Sequence, residues 1–365
     1  MNNRNIALDL AKILAMLLVA YGHLVSVATF AVDIPGVFPK QLSSPITPMT
    51  LQSFWKIESF FSNLFGIQFG VVGVIVFFFI SGFLLEKSIN KNKKLDLFIF
   101  IKYKFSKIFF TLLLSTFFVS CFNWCFNSIN LNINVFCYTL TGIPFLFGSN
   151  SILVSIWFLS VLIFSWFFYF LFLNKNIIQL YLILFVIVIL PYPLKDTDYY
   201  NIFYALAFYA RMSGVILVGI TYGIVSNLNY ALRLCYLLIA FILSLLLLKL
   251  FQNLYNFYET YANIYSFIFA VIILLICLFI QRYVYNINII VKLINALSKI
   301  FLPFYLIHVT VGLNFLVLFN KIFSYYISLS LSFCACFIIS YFIVYLEKFI
   351  KNVYFILLKS LILNK

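Results

Sequence analysis

The stretch Leu8-Asp9-Leu10-Ala11-Lys12-Ile13-Leu14-Ala15-Met16-Leu17-Leu18-Val19-Ala20-Tyr21-Gly22-His23 decides the fold class. It opens an apolar run over 8–32 that is long enough, at about 1.5 Å per residue, to cross roughly 30 Å of hydrocarbon. Asp9, Lys12, His23 and the lack of a small-residue cleavage site mark it as a retained helix rather than a secretory leader. Comparable runs follow near 67–85, 108–126, 151–173, 177–192, 201–225, 234–250, 262–280, 300–319 and 324–346, the shortest being 177–192 and 234–250. The composition agrees. The 365 residues are 65% apolar, 21% aromatic and 9% charged, with a mean hydropathy of +1.13, whereas a soluble domain covers its surface with about 25% charged residues. The expectation is an all-α polytopic integral membrane protein of about ten transmembrane helices, with one membrane-embedded domain over 1–365.

A net charge of +15, from 24 basic and 9 acidic residues, would by itself suggest nucleic acid. The positions of the charges argue otherwise. With the N-terminus in the cytoplasm, Arg4, the seven lysines from Lys87 to Lys107, Lys175, Arg233, Arg282, Lys292, Lys299, Lys348, Lys351, Lys359 and Lys365 lie inside, while Lys40, Lys56, Lys195, Lys249 and Lys321 lie outside. This bias puts both termini in the cytoplasm, favours an even number of spans in the plasma membrane, and leaves no need for nucleic acid. The longer outer connections cover 33–66 and 127–150. The first contains Pro35, Pro39, Pro45 and Pro48, which favour an extended segment. The lysine-rich stretch 87–107 also carries Leu95, Phe98, Ile99, Ile101 and Phe105, which suits an amphipathic helix on the inner leaflet. The seven cysteines show no Cys-x-x-Cys and no Cys/His cluster, so packing roles are expected rather than a metal site or a disulfide framework.

Ionisable groups inside spans are the informative positions, since each costs a few kcal/mol or more unless it faces a polar interior. Asp9 and Lys12 are three apart and share a helix face, either as an interfacial ion pair or as part of a cavity wall. His23 lies eleven residues beyond Lys12, about 16 Å along the helix and on nearly the same face. Imidazole is the side chain best suited to take and return a proton near neutral pH, although a lone buried His is more often a packing residue. Asp9 is about 21 Å from His23 and cannot orient it, so this helix carries no Ser-His-Asp triad. His308 lies mid-span in Leu302-Pro303-Phe304-Tyr305-Leu306-Ile307-His308, where Pro303 is expected to kink or cap the helix start. Arg211 must face the interior, as a hydrogen-bonded structural residue or opposite an anionic ligand. Phe77-Phe78-Phe79-Ile80-Ser81-Gly82-Phe83-Leu84 ends the second span, where Ser81 and Gly82 allow close helix packing.

In this order, these pieces resemble the acyltransferase 3 family, bacterial integral membrane enzymes that O-acylate cell-surface sugars. The family's first span carries an Asp, an Arg three residues later and a His eleven beyond that, matched here by Asp9, Lys12 and His23. Its Phe-Phe-x-x-Ser-Gly-Phe-Leu signature is similar to Phe77–Leu84, and its Arg-x-x-Arg to Lys104-Phe105-Ser106-Lys107. Ser155-Ile156-Trp157-Phe158-Leu159 through Tyr169 resembles its Trp-Phe-Leu signature, and Tyr305-Leu306-Ile307-His308 its late Tyr-Leu-x-His. The chain departs from the family in having Lys at each of the three Arg positions, which turns bidentate forks into point charges, and in lacking the Pro after the basic pair.

The resemblance implies a cytoplasmic acyl-CoA donor, most simply acetyl-CoA, with no resident cofactor. The acceptor would be a hydroxyl of an extracytoplasmic or lipid-linked envelope polysaccharide, and the other partners membrane lipids. Lys12, Lys104 and Lys107 would hold the donor phosphates and His23 would act as base, with Asp9, Ser81, Trp157, Arg211 and His308 in support. The competing reading is a transporter or flippase for an anionic or lipid-linked sugar, but the chain shows neither a repeat nor paired broken helices. A glycan polymerase would be expected to carry arginine-rich outer loops, and those here have none.

Overall fold

The computed structural model describes residues 5–27, 60–61, 64–91, 96–127, 132–147, 151–153, 155–173, 175–195, 197, 199–255 and 263–363. Among these the chain forms helices and no strands. The helices are α1 (Ile6–Tyr21), continued by a π-helical turn (Gly22–Val27), α2 (Phe69–Lys91), α3 (Leu97–Asn127), the short α4 (Ile133–Leu140), α5 (Ile156–Leu171), α6 (Ile177–Ile189), α7 (Tyr200–Ile224), α8 (Tyr230–Tyr255), α9 (Ile264–Val284), α10 (Asn288–Asn320) and α11 (Tyr325–Leu363). Among the described residues nine helices are long and apolar enough to cross a membrane, and α5 is a further apolar helix of 16 residues. The protein is therefore an all-α polytopic membrane protein.

Several boundaries differ from the sequence expectation for physical reasons. Residues 97–107 do not form a separate surface helix. They are the first turns of α3, whose 31 residues run without a break for about 46 Å. Nothing in Leu97–Lys107 breaks a helix: there is no Pro or Gly, so the lysine-bearing turns propagate into the span. The run at 234–250 belongs to a 26-residue helix, whereas 177–192 is short as expected: α6 has 13 residues and its apolar segment reaches 18 only with the turn that follows to Leu194, and α5 has 16. Pro303 neither starts nor caps its helix, but sits inside the 33-residue α10. There it removes one backbone donor, a loss that membrane helices tolerate when neighbouring groups satisfy the freed carbonyls. The proline-rich outer connection lies almost wholly outside the described residues.

Burial separates interior from peripheral helices. The apolar window of α10 is 83% buried, and those of α7 and α2 are 72% and 67% buried, whereas that of α9 is only 22% buried. In lipid the peripheral helices can remain apolar on their outer faces, as Leu275 and Phe279 do. The interior helices must instead accommodate one another closely, and α2 does so at glycine. A Cβ on Gly82 would land on the carbonyl oxygen of Ile216 in α7, and one on Gly219 would land on the carbonyl oxygen of Phe79. On its other side, Gly73 lies against α1, where an added Cβ would come 2.6 Å from the Ala15 carbonyl oxygen. Helix α2 is thus held backbone to backbone between α1 and α7.

Candidate active site

His23 is the second residue of the π-helical turn that follows α1. Single π turns widen a helix locally and recur at functional positions. The α-helical register holds from Lys12 through Tyr21, so the face shared by Lys12 and His23 is largely preserved. His23 remains half-buried, while His308 in α10 is 1% exposed. Their rings meet: His23 Nδ1 lies 2.9 Å from His308 Nε2. Both helices place this pair a similar distance beyond a lysine, eleven residues past Lys12 and nine past Lys299, or about 16 and 14 Å.

The surroundings of His308 fix its ring. Its Nδ1 lies 2.7 Å from the Tyr305 carbonyl oxygen one turn earlier. The Ser155 hydroxyl at the start of α5 reaches the same oxygen at 2.8 Å, and the Leu306 oxygen at 3.1 Å. The Phe304 ring lies parallel to the imidazole, 6.0 Å between centroids. Tyr305 packs against Phe158 at 4.9 Å, and Phe158 packs edge-on against Phe77 at 4.2 Å. Phe77 in turn stacks on Phe301 at 4.4 Å. Trp157 meets Phe78 and Phe208, each at 6.2 Å. Four sequence motifs, separated by up to 285 residues, therefore form one cluster contributed by the first helix with its π turn, α2, α5 and α10.

The charged candidates lie around this cluster rather than in it. Lys12 Nζ pairs with Asp9 Oδ1 at 3.4 Å, as their three-residue spacing requires, and Asp9 is 5% exposed. The ammonium of Lys104 lies 5.4 Å from the Phe100 ring centre. That of Lys107 lies 3.9 Å from the Tyr103 ring centre and 2.6 Å from its hydroxyl. Among the described residues, the polar and ring contacts of these three lysines are within their own helices. Arg211, 1% exposed, is sandwiched between Phe208 and Phe251, whose ring centres are 4.3 and 4.4 Å from its guanidinium carbon. Two aromatic faces offer a buried cation an attraction of about 2 kcal/mol or more when desolvated. Through Phe208, Arg211 borders Trp157. Ser81 is half-buried in α2, one residue before the Gly82 contact with α7.

Three residues of this region escaped the sequence reading. Ser155 and Tyr305 lay inside recognised motifs, but their link runs between a hydroxyl and a main-chain carbonyl, which no residue pattern signals. Glu86 lies one residue past the span assigned as 67–85. It is nevertheless 5% exposed within α2, accepts a hydrogen bond from the Tyr169 hydroxyl, and takes another from Asn90 Nδ2 at 2.5 Å. The signal available in the sequence is an acid directly after an apolar run.

No curated protein and no solved structure matched the chain. The family comparison did find a match: a model described as an acyltransferase domain covers residues 5–346, nearly the whole chain, which therefore belongs to the acyltransferase 3 family of membrane acyltransferases.

Proposed function

We propose that the protein moves an acetyl group from cytoplasmic acetyl-CoA to a hydroxyl of an extracytoplasmic or lipid-linked cell-envelope polysaccharide, with His23 as general base. The observation that supports this most is the 2.9 Å contact between His23 and His308 at the point where the family motifs meet. His23 takes the proton of the acceptor hydroxyl while its oxygen attacks the thioester carbonyl carbon. The tetrahedral intermediate collapses with breakage of the C–S bond, and the proton on His23 passes to the departing CoA sulfur. The products are the O-acyl sugar and free CoA.

His23 is half-buried rather than sealed, as a group that must meet a substrate requires. The roughly 16 Å between Lys12 and His23 suits two ends of an elongated donor, with phosphates at the basic end and the thioester at the histidine pair. Lys104 and Lys107 sit near the start of α3 and add positive charge at that end. The chain would work as a multi-pass protein of the plasma membrane.

The reading is tested by mass spectrometry of envelope glycans from cells with and without the protein. Loss of a 42 Da increment, the mass added by one acetyl group, is expected from the chemistry of acetyl transfer, and unchanged glycans would overturn it. A separate expectation concerns the donor. Lys104→Ala combined with Lys107→Ala should raise the KM for acetyl-CoA several-fold and flatten its dependence on salt, because ammonium–phosphate contacts near water are screened within about 10 Å at 0.1 M ionic strength. An unchanged KM would put the phosphates elsewhere.

A further inference from the structure

The histidine contact carries directional information. A backbone carbonyl can only accept, so the 2.7 Å contact between His308 Nδ1 and the Tyr305 oxygen requires the proton to be on Nδ1. In a neutral imidazole the other nitrogen then bears a lone pair. His308 Nε2 therefore accepts, and His23 Nδ1, 2.9 Å away, must donate. That leaves the lone pair of His23 on Nε2, the nitrogen turned away from His308. Rotating the His308 ring by half a turn would set carbon against both partners and lose both hydrogen bonds. Phe304, parallel to the ring at 6.0 Å, and Tyr305, with its ring centre at 5.5 Å, pack beside it in the observed orientation.

We infer that His308 is the positioning residue for acyl transfer: by donating to the Tyr305 carbonyl and accepting from His23 Nδ1, it holds His23 in the tautomer whose Nε2 is the base. This rests on the reading of His23 as base and adds which nitrogen acts and what keeps it unprotonated. When Nε2 takes the acceptor's proton, the positive charge of the imidazolium is shared through the Nδ1–H bond to His308. The Tyr305 carbonyl dipole stabilises that charge from the far side. Two imidazoles and a main-chain oxygen thus play the part that a carboxylate plays when it orients a catalytic histidine. Ser155 adds a second donor to the same carbonyl at 2.8 Å and ties it to α5.

The chain contains only two histidines, which makes the inference directly measurable. Nitrogen-15 labelling of histidine alone yields four ring nitrogens in the full-length protein in lipid. The expected spectrum near neutral pH has both Nδ1 atoms protonated and both Nε2 atoms bare, with a correlation between His23 Nδ1 and His308 Nε2 across the hydrogen bond. A proton on either Nε2, or an imidazolium at His308, would overturn the inference whatever the activity of the protein. Single variants assign the signals and supply the kinetic arm. His308→Leu removes the acceptor and should let His23 move towards the Nε2-protonated form, with kcat down by about 10-fold or more and the KM for acetyl-CoA unchanged. His308→Gln keeps an acceptor oxygen within the side chain and should recover much of both the tautomer and the rate. Equal loss in the two variants with an unaltered His23 tautomer would reduce His308 to a packing residue. The spectrum of the unsubstituted chain decides the tautomer even if a variant fails to fold, and a wrong base is exposed separately by substitution of His23.

Discussion

Replacing His23 with alanine is expected to lower acyl transfer by about 10²–10⁴-fold, the usual contribution of a positioned general base. The side chain is half-buried in a π turn and makes its described polar contact with His308 alone, so truncation leaves the helix contacts at Gly73 and Gly82 in place. Insertion and folding should therefore survive. His23→Gln sharpens the result: its amide can still donate to His308 Nε2, but it has no basic nitrogen to take a proton. If the role is chemical, the Gln variant is as inactive as the Ala variant; if it is structural, Gln restores function. The measurement is release of CoA thiol by membranes supplied with acetyl-CoA, together with the acetyl content of the envelope glycan. Full activity in either variant would remove His23 from the mechanism.

The largest effect on stability is expected at the α2–α7 crossing. Gly82→Val and Gly219→Val each place a side chain where a carbonyl oxygen of the facing helix already lies. Overpacking among side chains costs roughly 1–3 kcal/mol, because rotamers can yield. Here the obstacle is main chain, so the two helix axes must separate, and the cost should lie above that range. Phe78, buried on α2, packs on Phe158 and Trp157 of the site, so movement of α2 would reach that cluster. Folded yield and the melting temperature in detergent, followed by the monodisperse fraction in gel filtration, should both fall sharply. Leu182→Ala, on the exposed face of α6, should change stability by about 0.5 kcal/mol or less and serves as the comparison. A valine variant that melts like the original would mean that the helices cross elsewhere.

The features legible in the sequence are those that local physics controls. The Asp9–Lys12 pair follows from a three-residue spacing on one helix, and the spans follow from the length of each apolar run. Local reading failed where a segment had no signal of its own. Residues 97–107 are as compatible with a surface helix as with the first turns of α3, and only continuity with the span distinguishes the two. Glu86 lay just beyond a boundary drawn by hydropathy, although α2 runs on to Lys91 and carries the acid into the interior. Pro303, expected to kink or cap the start of its helix, lies inside α10, fifteen residues after Asn288.

The sequence by itself determined the solvent of this protein, its all-helical class and the residues that lipid would reject, because each of these depends on composition or on neighbours within a few positions. It also supplied the motif order by which the family was recognised. Only the tertiary structure decided that His23 faces His308 and that Tyr305 presents a carbonyl rather than a hydroxyl to that ring. Those outcomes depend on how closely one helix can approach another, and here the approach runs through glycines beside both histidines: Gly22 lies against Gly70 of α2, and Gly312 of α10 against Leu24 of the π turn. A spacing rule can place a side chain on a face. It cannot say which face of which other helix will meet it.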